Sequence, residues 1–393
     1  MTTPTTPATP ATPATPARTV LVTGADGYIG RRTAQRLLAD TDDRLVLTVR
    51  AADRTELARK RERLLGSLGV RAEGRAEVHP ADLTEDAPLA KVTRDVHAIV
   101  HSAARTAFDQ PRDDARRINV DGTLRVAEYA GRCPGLDRFV LLSTLVSAGR
   151  RTGDVPEAAL SDEAGFANHY EWSKSEAERL LTRDHPALPL SIARLSTIVA
   201  DDVDGHITQY NAFHNTLRLF FYGLITIMPG LPDTRLYLAT AHATSGAIAH
   251  LTRPATPTGV YHLAPAADQA VRLDEAISTA FDVFEQDPAF ARRRLLRPEF
   301  CDIESFRYLN DAAQALSASP SAAALRSVLP FAEQMFCPKR FDNSRLLRTW
   351  PGSAAFDTGQ LVRSVCESLV RGRWGRRAPE APHTAGMEAT ACP

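Results

Sequence analysis

The sequence has little of what staples small secreted proteins. Its five cysteines, at 133, 301, 337, 366 and 392, show no CxxC or Cys/His spacing that a zinc site or a disulfide framework needs. They are expected to be free thiols in a reducing cytoplasm, and no metal is expected. Charge of one sign is also absent: 47 Lys and Arg balance 47 Asp and Glu. That balance argues against a nucleic-acid partner or a membrane surface. No long apolar run exists either. The longest, near 217–228, is interrupted by Arg218 and is too short to span a bilayer. The first 17 residues repeat Thr, Pro and Ala without the basic and apolar regions of a signal peptide. Proline at that density denies helix and sheet their hydrogen bonds, so residues 1–17 are expected to be a disordered tail, as are 375–393.

Between the tails, short apolar runs alternate with amphipathic stretches. Strands are expected at 19–23, 44–49, 75–79, 96–101, 138–143 and 190–194, and helices at 28–39, 53–66, 113–131 and 169–184. This order predicts an α/β fold with a Rossmann-type, doubly wound parallel sheet over residues 18–197. Beyond Thr197 the pattern loosens. A helix is expected at 217–224, a strand at 259–263 and a helix at 273–284. Residues 198–374 are expected to form a smaller, mostly helical substrate lobe, with room for interleaving with late strands of the sheet.

The first strand runs into Thr23-Gly24-Ala25-Asp26-Gly27-Tyr28-Ile29-Gly30, which opens a helix. Gly24 permits a sharp turn, Gly27 leaves space for a phosphate, and Gly30 lets the helix pack closely. Thr23, Gly24, Gly27, Tyr28, Ile29 and Gly30 are therefore candidate dinucleotide contacts. The second strand ends on Arg50, where an NAD site commonly carries a carboxylate. An Arg there suits a 2′-phosphate, so NADPH is the expected cofactor in preference to NAD. Arg31 and Arg32 either assist it or are plain helix-surface charge. Asp53 comes too late for the ribose and reads as a helix N-cap.

Tyr170 and Lys174 stand at i, i+4 and share one face of a helix. A phenol titrates near ~10, and an adjacent ammonium is expected to lower that value. Tyr170 would then serve as general acid toward a carbonyl oxygen receiving hydride.

In this order and spacing, the glycine loop and the Tyr/Lys pair resemble the extended short-chain dehydrogenase/reductases. The resemblance implies a hydroxyl five residues before Gly149, which is Thr144, with Ser143 as the alternative. It implies adenine contacts at Asp82 and Leu83. It also implies small residues beside the dinucleotide at Ala103 and Ala104 of His101-Ser-Ala-Ala104. Asn119 falls in an NxxGT motif, Asn119-Val-Asp-Gly-Thr123, expected to bridge backbone near the active site; His101 reads as structural. Thr144, Tyr170, Lys174 and Asn119 are thus the candidate catalytic residues, with Tyr170 and Lys174 also touching the cofactor.

Within that superfamily the chain is most similar to fatty acyl-CoA reductases and thioester reductase domains. The likeness is carried by Leu47–Ala52 with the charged helix after it, by Ser143-Thr144 and by Pro189–Ser196, and extends to about residue 265. It implies reduction of a CoA- or carrier-bound thioester to an aldehyde, a possible carrier-protein partner, and a monomer or homodimer. Two departures stand out. Arg194-Leu195 replaces an Arg-Pro, and Thr240-Ala-His242 replaces a Pro-Val-Asp that helps join the lobes. The alternatives are a small ketone or aldehyde as substrate, a sugar-nucleotide epimerase or dehydratase holding NAD tightly, and a non-catalytic NADPH-binding regulator. Phe213, Phe220, Phe221, Tyr222 and Met228 either line an apolar pocket or form ordinary core.

Overall fold

Parallel strands covered on both faces are mostly apolar, and such runs form the centre of the computed structural model. It describes residues 17–316, 320–356 and 359–374. The tails expected at 1–17 and 375–393 lie outside these, apart from Ala17. The chain runs β1 (Thr19–Thr23), α1 (Tyr28–Asp40), β2 (Arg44–Val49), α2 (Arg54–Leu68), β3 (Ala76–Pro80) and β4 (Ala98–His101). A helix in three parts follows: α3 (Arg112–Ala115), a π-helical turn at Arg116–Asp121, and α4 (Gly122–Ala130). Then come β5 (Arg138–Thr144), β6 (Gly153–Val155), α5 (His169–Asp184) and β7 (Leu190–Leu195).

The later chain holds β8 (Thr197–Ala200), α6 (Ala212–Tyr222), β9 (Ile227–Pro229), β10 (Arg235–Leu236), β11 (Leu238–Thr240), α7 (Ala241–Leu251), β12 (Gly259–Leu263) and β13 (Val271–Arg272). It continues with α8 (Leu273–Phe284), α9 (Pro288–Ala291), β14 (Glu299–Cys301), α10 (Ile303–Leu316), α11 (Pro320–Ala332), β15 (Lys339–Phe341), α12 (Ser344–Thr349) and α13 (Leu361–Arg371).

Seven strands pair in parallel in the order β12–β7–β5–β4–β1–β2–β3. The strand order reverses between β1 and β4, which opens a crevice at their carboxyl ends. The strand expected at 259–263 is the seventh of this sheet. Likewise α7 joins the buried cluster of Ala34 and Leu37 on α1 through Ala243, Ala247 and Leu251. The chain therefore leaves the sheet after β7 and returns to it. Two expected helices differ from the observed ones. The one at 113–131 is interrupted by the π turn. The one at 217–224 begins earlier and stops at Tyr222, because Gly223 takes a left-handed conformation (φ 66°, ψ 29°).

A second apolar cluster lies in the later chain. The Phe221 ring sits 5.3 Å from those of Phe284 and Phe290 and 5.0 Å from Trp374, so Phe221 is core. Cys133, Cys301, Cys337 and Cys366 are free thiols; Cys392 lies outside the described residues. No helix among the described residues is long and apolar enough to cross a membrane.

Between α5 and the sheet sits a buried ion pair. Arg194 on β7 is 1% exposed. Its Nη2 and Nε reach the Glu178 carboxylate at 2.7 and 3.1 Å. Ser143 and Ser147 donate to the same carboxylate, and Nη1 lies 3.3 Å from Nε2 of His262 on β12. Burial and the Arg194 charge push His262 down to about 3, which keeps it neutral. Removing one partner of such a pair strands the other in a medium that cannot solvate it. Arg194→Leu should therefore cost about 3–5 kcal/mol of unfolding free energy. The double variant Arg194→Leu/Glu178→Leu should recover part of it. Denaturant titrations of the three proteins check both.

Candidate active site

The β1–α1 loop has the geometry of an anion site. Gly24 adopts φ +63°, and a Cβ there would lie 2.7 Å from the Ala103 backbone. A Cβ on Gly30 would strike the Gly24 carbonyl at 2.3 Å, so Gly30 closes the loop on itself more than it packs the helix on the sheet. Gly27 is the N-cap of α1; no side chain caps the helix, and no acid occupies its first turn. The N–H groups and positive end of the helix dipole are left for an anion. Gly24, Gly27, Tyr28 and Ile29 line one end of a cavity of about 1270 Å³. These features fit a dinucleotide pyrophosphate.

The end of that cavity after β2 carries charges of both signs. Arg50 and Lys60 both line it, with Asp82, Leu83, Ala103 and Ala104. Lys60 lies on α2, with its ammonium 2.6 Å from the Arg50 carbonyl and 3.1 Å from Asp26. The sequence reading missed it: a lysine in a charged helix carries no local mark of facing inward. Asp53 caps α2, its carboxylate accepting from Glu56 N at 2.8 Å. Burial pushes the Asp82 carboxyl up, but hydrogen bonds from Thr84 and the Arg50 charge outweigh it and hold it below the ordinary range. Arg32 pairs with Asp201 at 2.6 Å, and Tyr28 donates to the same carboxylate at 2.5 Å. These two side chains tie α1 to the loop after β8.

Thr23, Gly30, Asn119 and Lys174 are not on the cavity surface; they stand behind it. The Thr23 hydroxyl bonds His101 Nδ1 at 2.7 Å and accepts from Ala103 N at 3.2 Å. His101 Nε2 meets Thr123 at 3.0 Å. Burial, with a contribution from Lys174, pushes His101 down to about 3, so it is neutral and structural. Asn119, in the π turn, accepts from Arg105 N at 2.8 Å. It donates to Arg105 O and Ser173 Oγ, each at 2.9 Å. A Cβ on Gly122 would lie 2.8 Å from that of Leu83. The Asn119–Thr123 motif is thus a bracket joining the cavity wall to α5.

Thr144 and Tyr170 do reach the cavity, with the Thr144 hydroxyl close enough to the phenol to ease its ionisation. Ser143 points the other way, to Glu178. Lys174 is 3% exposed and donates to the Leu142 carbonyl at 2.6 Å. The expected lowering of the phenol by Lys174 is not what the structure holds. Burial pushes Tyr170 up to about 12, with Thr144 opposing and Glu171 adding. Burial also pushes Lys174 down to about 8, against the Glu178 charge. Low polarity favours the neutral form of each group.

Past this pair the cavity turns apolar, lined by Ile198, Phe213, Leu217, Phe220, Met228, Leu273 and Ile277, with Arg235 and Lys339 also on its wall. Tyr222 and Phe221 are not among its lining residues. His242 lies outside it, exposed, with Nε2 3.4 Å from Arg36; its place in the sequence suggested a bearing on substrate that this position does not give it. Glu171, Gln334 and Lys339 border the cavity as well, and spacing alone did not signal that they converge.

The chain resembles known proteins in sequence and in fold. Residues 22–247 match the family model described as male sterility protein. The chain is 32% identical over 271 residues to an isonitrile lipopeptide synthase of Streptomyces coeruleorubidus, 65% of this chain and 18% of that protein. It is 26% identical over 169 residues to a probable fatty acyl-CoA reductase of Arabidopsis thaliana, 36% of this chain and 33% of that one. The chain thus spans a minor part of these relatives. Its fold matches the terminal R domain of the myxalamid PKS-NRPS biosynthetic pathway with a TM-score of 0.71 and 22% identity, covering 92% of both chains. It also matches UDP-glucuronic acid 4-epimerase from Bacillus cereus, in complex with NAD, at 0.60 and 16%, covering 90% and 98%.

The depressed Lys174 has a consequence for stability. Between about pH 8 and 10.5 the unfolded chain holds a proton on this lysine that the folded chain has released, so its contribution to unfolding free energy rises with pH across that window. Denaturant titrations at pH 8 and pH 10 should show the wild type gaining on Lys174→Met; a constant difference would contradict the assignment.

Proposed function

The chain belongs to the male sterility protein family of extended short-chain dehydrogenase/reductases and is an NAD(P)-dependent oxidoreductase, and on that premise we propose that it reduces an acyl thioester with NADPH. The observation that carries this reading is one continuous cavity. It leads from the glycine loop, past the facing hydroxyls of Thr144 and Tyr170, to an apolar wall. Phe213, Leu217, Phe220 and Ile277 on that wall suit an acyl chain.

The cofactor supplies hydride to the thioester carbonyl carbon. Thr144 and Tyr170 hold the carbonyl oxygen between their hydroxyls and polarise it. As negative charge develops there, Tyr170, protonated across the physiological range, gives up its phenolic proton and leaves a hemithioacetal. Collapse of that species breaks the C–S bond and yields an aldehyde and a free thiol. Lys174 acts from behind the cavity wall, keeping the helix in register through the Leu142 carbonyl. Arg50 and Lys60 would hold a 2′-phosphate, which is the ground for naming NADPH rather than NADH. The thiol half of the substrate is coenzyme A or the pantetheine arm of a carrier protein.

The first test is oxidation of NADPH, followed at the reduced-nicotinamide absorbance band, with acyl-CoA esters, aldehydes and ketones. Consumption with the thioesters, and an aldehyde product, is the expected result. NAD already bound in the purified protein, with no consumption by any substrate, would move the assignment to an epimerase or dehydratase. Tyr170→Phe should lower kcat roughly 10²–10⁴-fold while NADPH affinity stays within about threefold. In a separate titration, Arg50→Ala/Lys60→Ala should weaken NADPH binding by about tenfold or more and leave NADH nearly unaffected.

A further inference from the structure

One wall of the cavity, next to Tyr170, carries a buried polar relay that the hydride chemistry does not use. Lys339 begins β15 and is 7% exposed; Glu171, the residue after Tyr170, is 1% exposed. Gln334 stands between them, donating to Glu171 Oε1 at 2.9 Å and accepting from Lys339 Nζ at 2.8 Å. Glu171 is otherwise satisfied as a helix cap, accepting from Ala167 N at 2.9 Å and Asn168 Nδ2 at 3.0 Å. Lys339 is not: its second acceptor is the Cys337 carbonyl at 3.2 Å. An ammonium has three N–H donors. The third meets no acceptor among the described residues, and no carboxylate there pairs with the ammonium directly.

A buried charge without an ion pair and with an open donor is costly. Here it is on the wall of the cavity that a substrate would enter, and burial pushes its ammonium below the ordinary lysine value. We propose that Lys339 is a specificity-determining residue of this reductase, donating a hydrogen bond to a carbonyl oxygen of the thioester substrate other than the one reduced. Gln334, tied to Glu171, aims it. The nearby Glu171 carboxylate disfavours a dianion such as a phosphate, whereas a keto or amide oxygen suits a single open N–H. That oxygen belongs either to the acyl chain or to an amide of the pantetheine arm. The inference rests on the thioester reading above.

The test uses three thioesters with the full chain and NADPH: octanoyl-pantetheine, 3-oxooctanoyl-pantetheine and octanoyl-propanethiol. Lys339→Met should reduce one preference by about tenfold or more, chiefly through KM. Loss of preference for 3-oxooctanoyl over octanoyl places the oxygen on the acyl chain. Loss of preference for pantetheine over propanethiol places it on the arm. Both preferences unchanged within about twofold would overturn the proposal. Should the Met variant fail to fold, Lys339→Arg keeps the charge but moves the donors, and must shift the same ratio by about threefold or more, failing which the proposal falls. A wild-type protein that turns over none of the three overturns the thioester reading, and this assignment with it.

Discussion

Helix α5 carries the site, and polar groups buried on its inner side fix where it lies. Lys174 holds the Leu142 carbonyl, Ser173 accepts from Asn119, and Glu178 binds Ser143, Ser147 and Arg194. Apolar packing alone would let a helix slide or roll on a sheet at modest cost. Hydrogen-bonding groups with no water behind them cannot give up their partners so cheaply. Three such anchors, spread over residues 173 to 178, set both the rotation of the helix and its position along its axis. Tyr170 then has to face Thr144. The side chains that look most catalytic by type, Lys174 and His101, face away from the cavity surface and brace its wall.

The same logic runs across the sheet. Thr23 at the end of β1, His101 at the end of β4 and Thr123 on α4 form one hydrogen-bonded row. Asn119 continues it to Ser173 on α5. The glycine loop and the Tyr/Lys helix, far apart in sequence, are thus linked by neutral polar contacts under the cavity floor. The π turn at Arg116–Asp121 inserts an extra residue into the helix. It lets Asn119 face α5 while Gly122 and Thr123, one turn later, still face Leu83 and His101.

What was legible in the sequence is what is local. Apolar runs at strand length marked the first six strands of the sheet, since a strand covered on both faces is largely apolar, although β3 is half-exposed and β7 buries Ser191 and Arg194. The glycine loop was legible because its turn demands a missing Cβ at Gly24, and the Tyr/Lys pair because one helical turn aligns them. Contacts made by distant chain were not. The strand at 259–263 read as a strand, but nothing in Gly259–Leu263 says which edge it joins. Lys60, Glu171, Gln334 and Lys339 come from three parts of the chain and have no shared spacing. The early stop of α6 was available in principle, since Gly223 is the residue best suited to a left-handed cap. The phenol was misjudged for a different reason: two groups one helical turn apart need not interact when each has a better neighbour, and Lys174 has the Leu142 carbonyl.

That last point bears on the direction of the chemistry. Burial raises Tyr170 and lowers Lys174, so the protein without ligand favours a neutral phenol beside a readily deprotonated amine. Oxidising an alcohol begins with a base, and for that the phenol must first lose its proton. Reducing a carbonyl ends with an acid, and a protonated phenol beside Thr144 is already in that state. The environment therefore stabilises the proton-donating form over the proton-accepting one. A neutral phenol is the protonation state from which the proposed reduction starts.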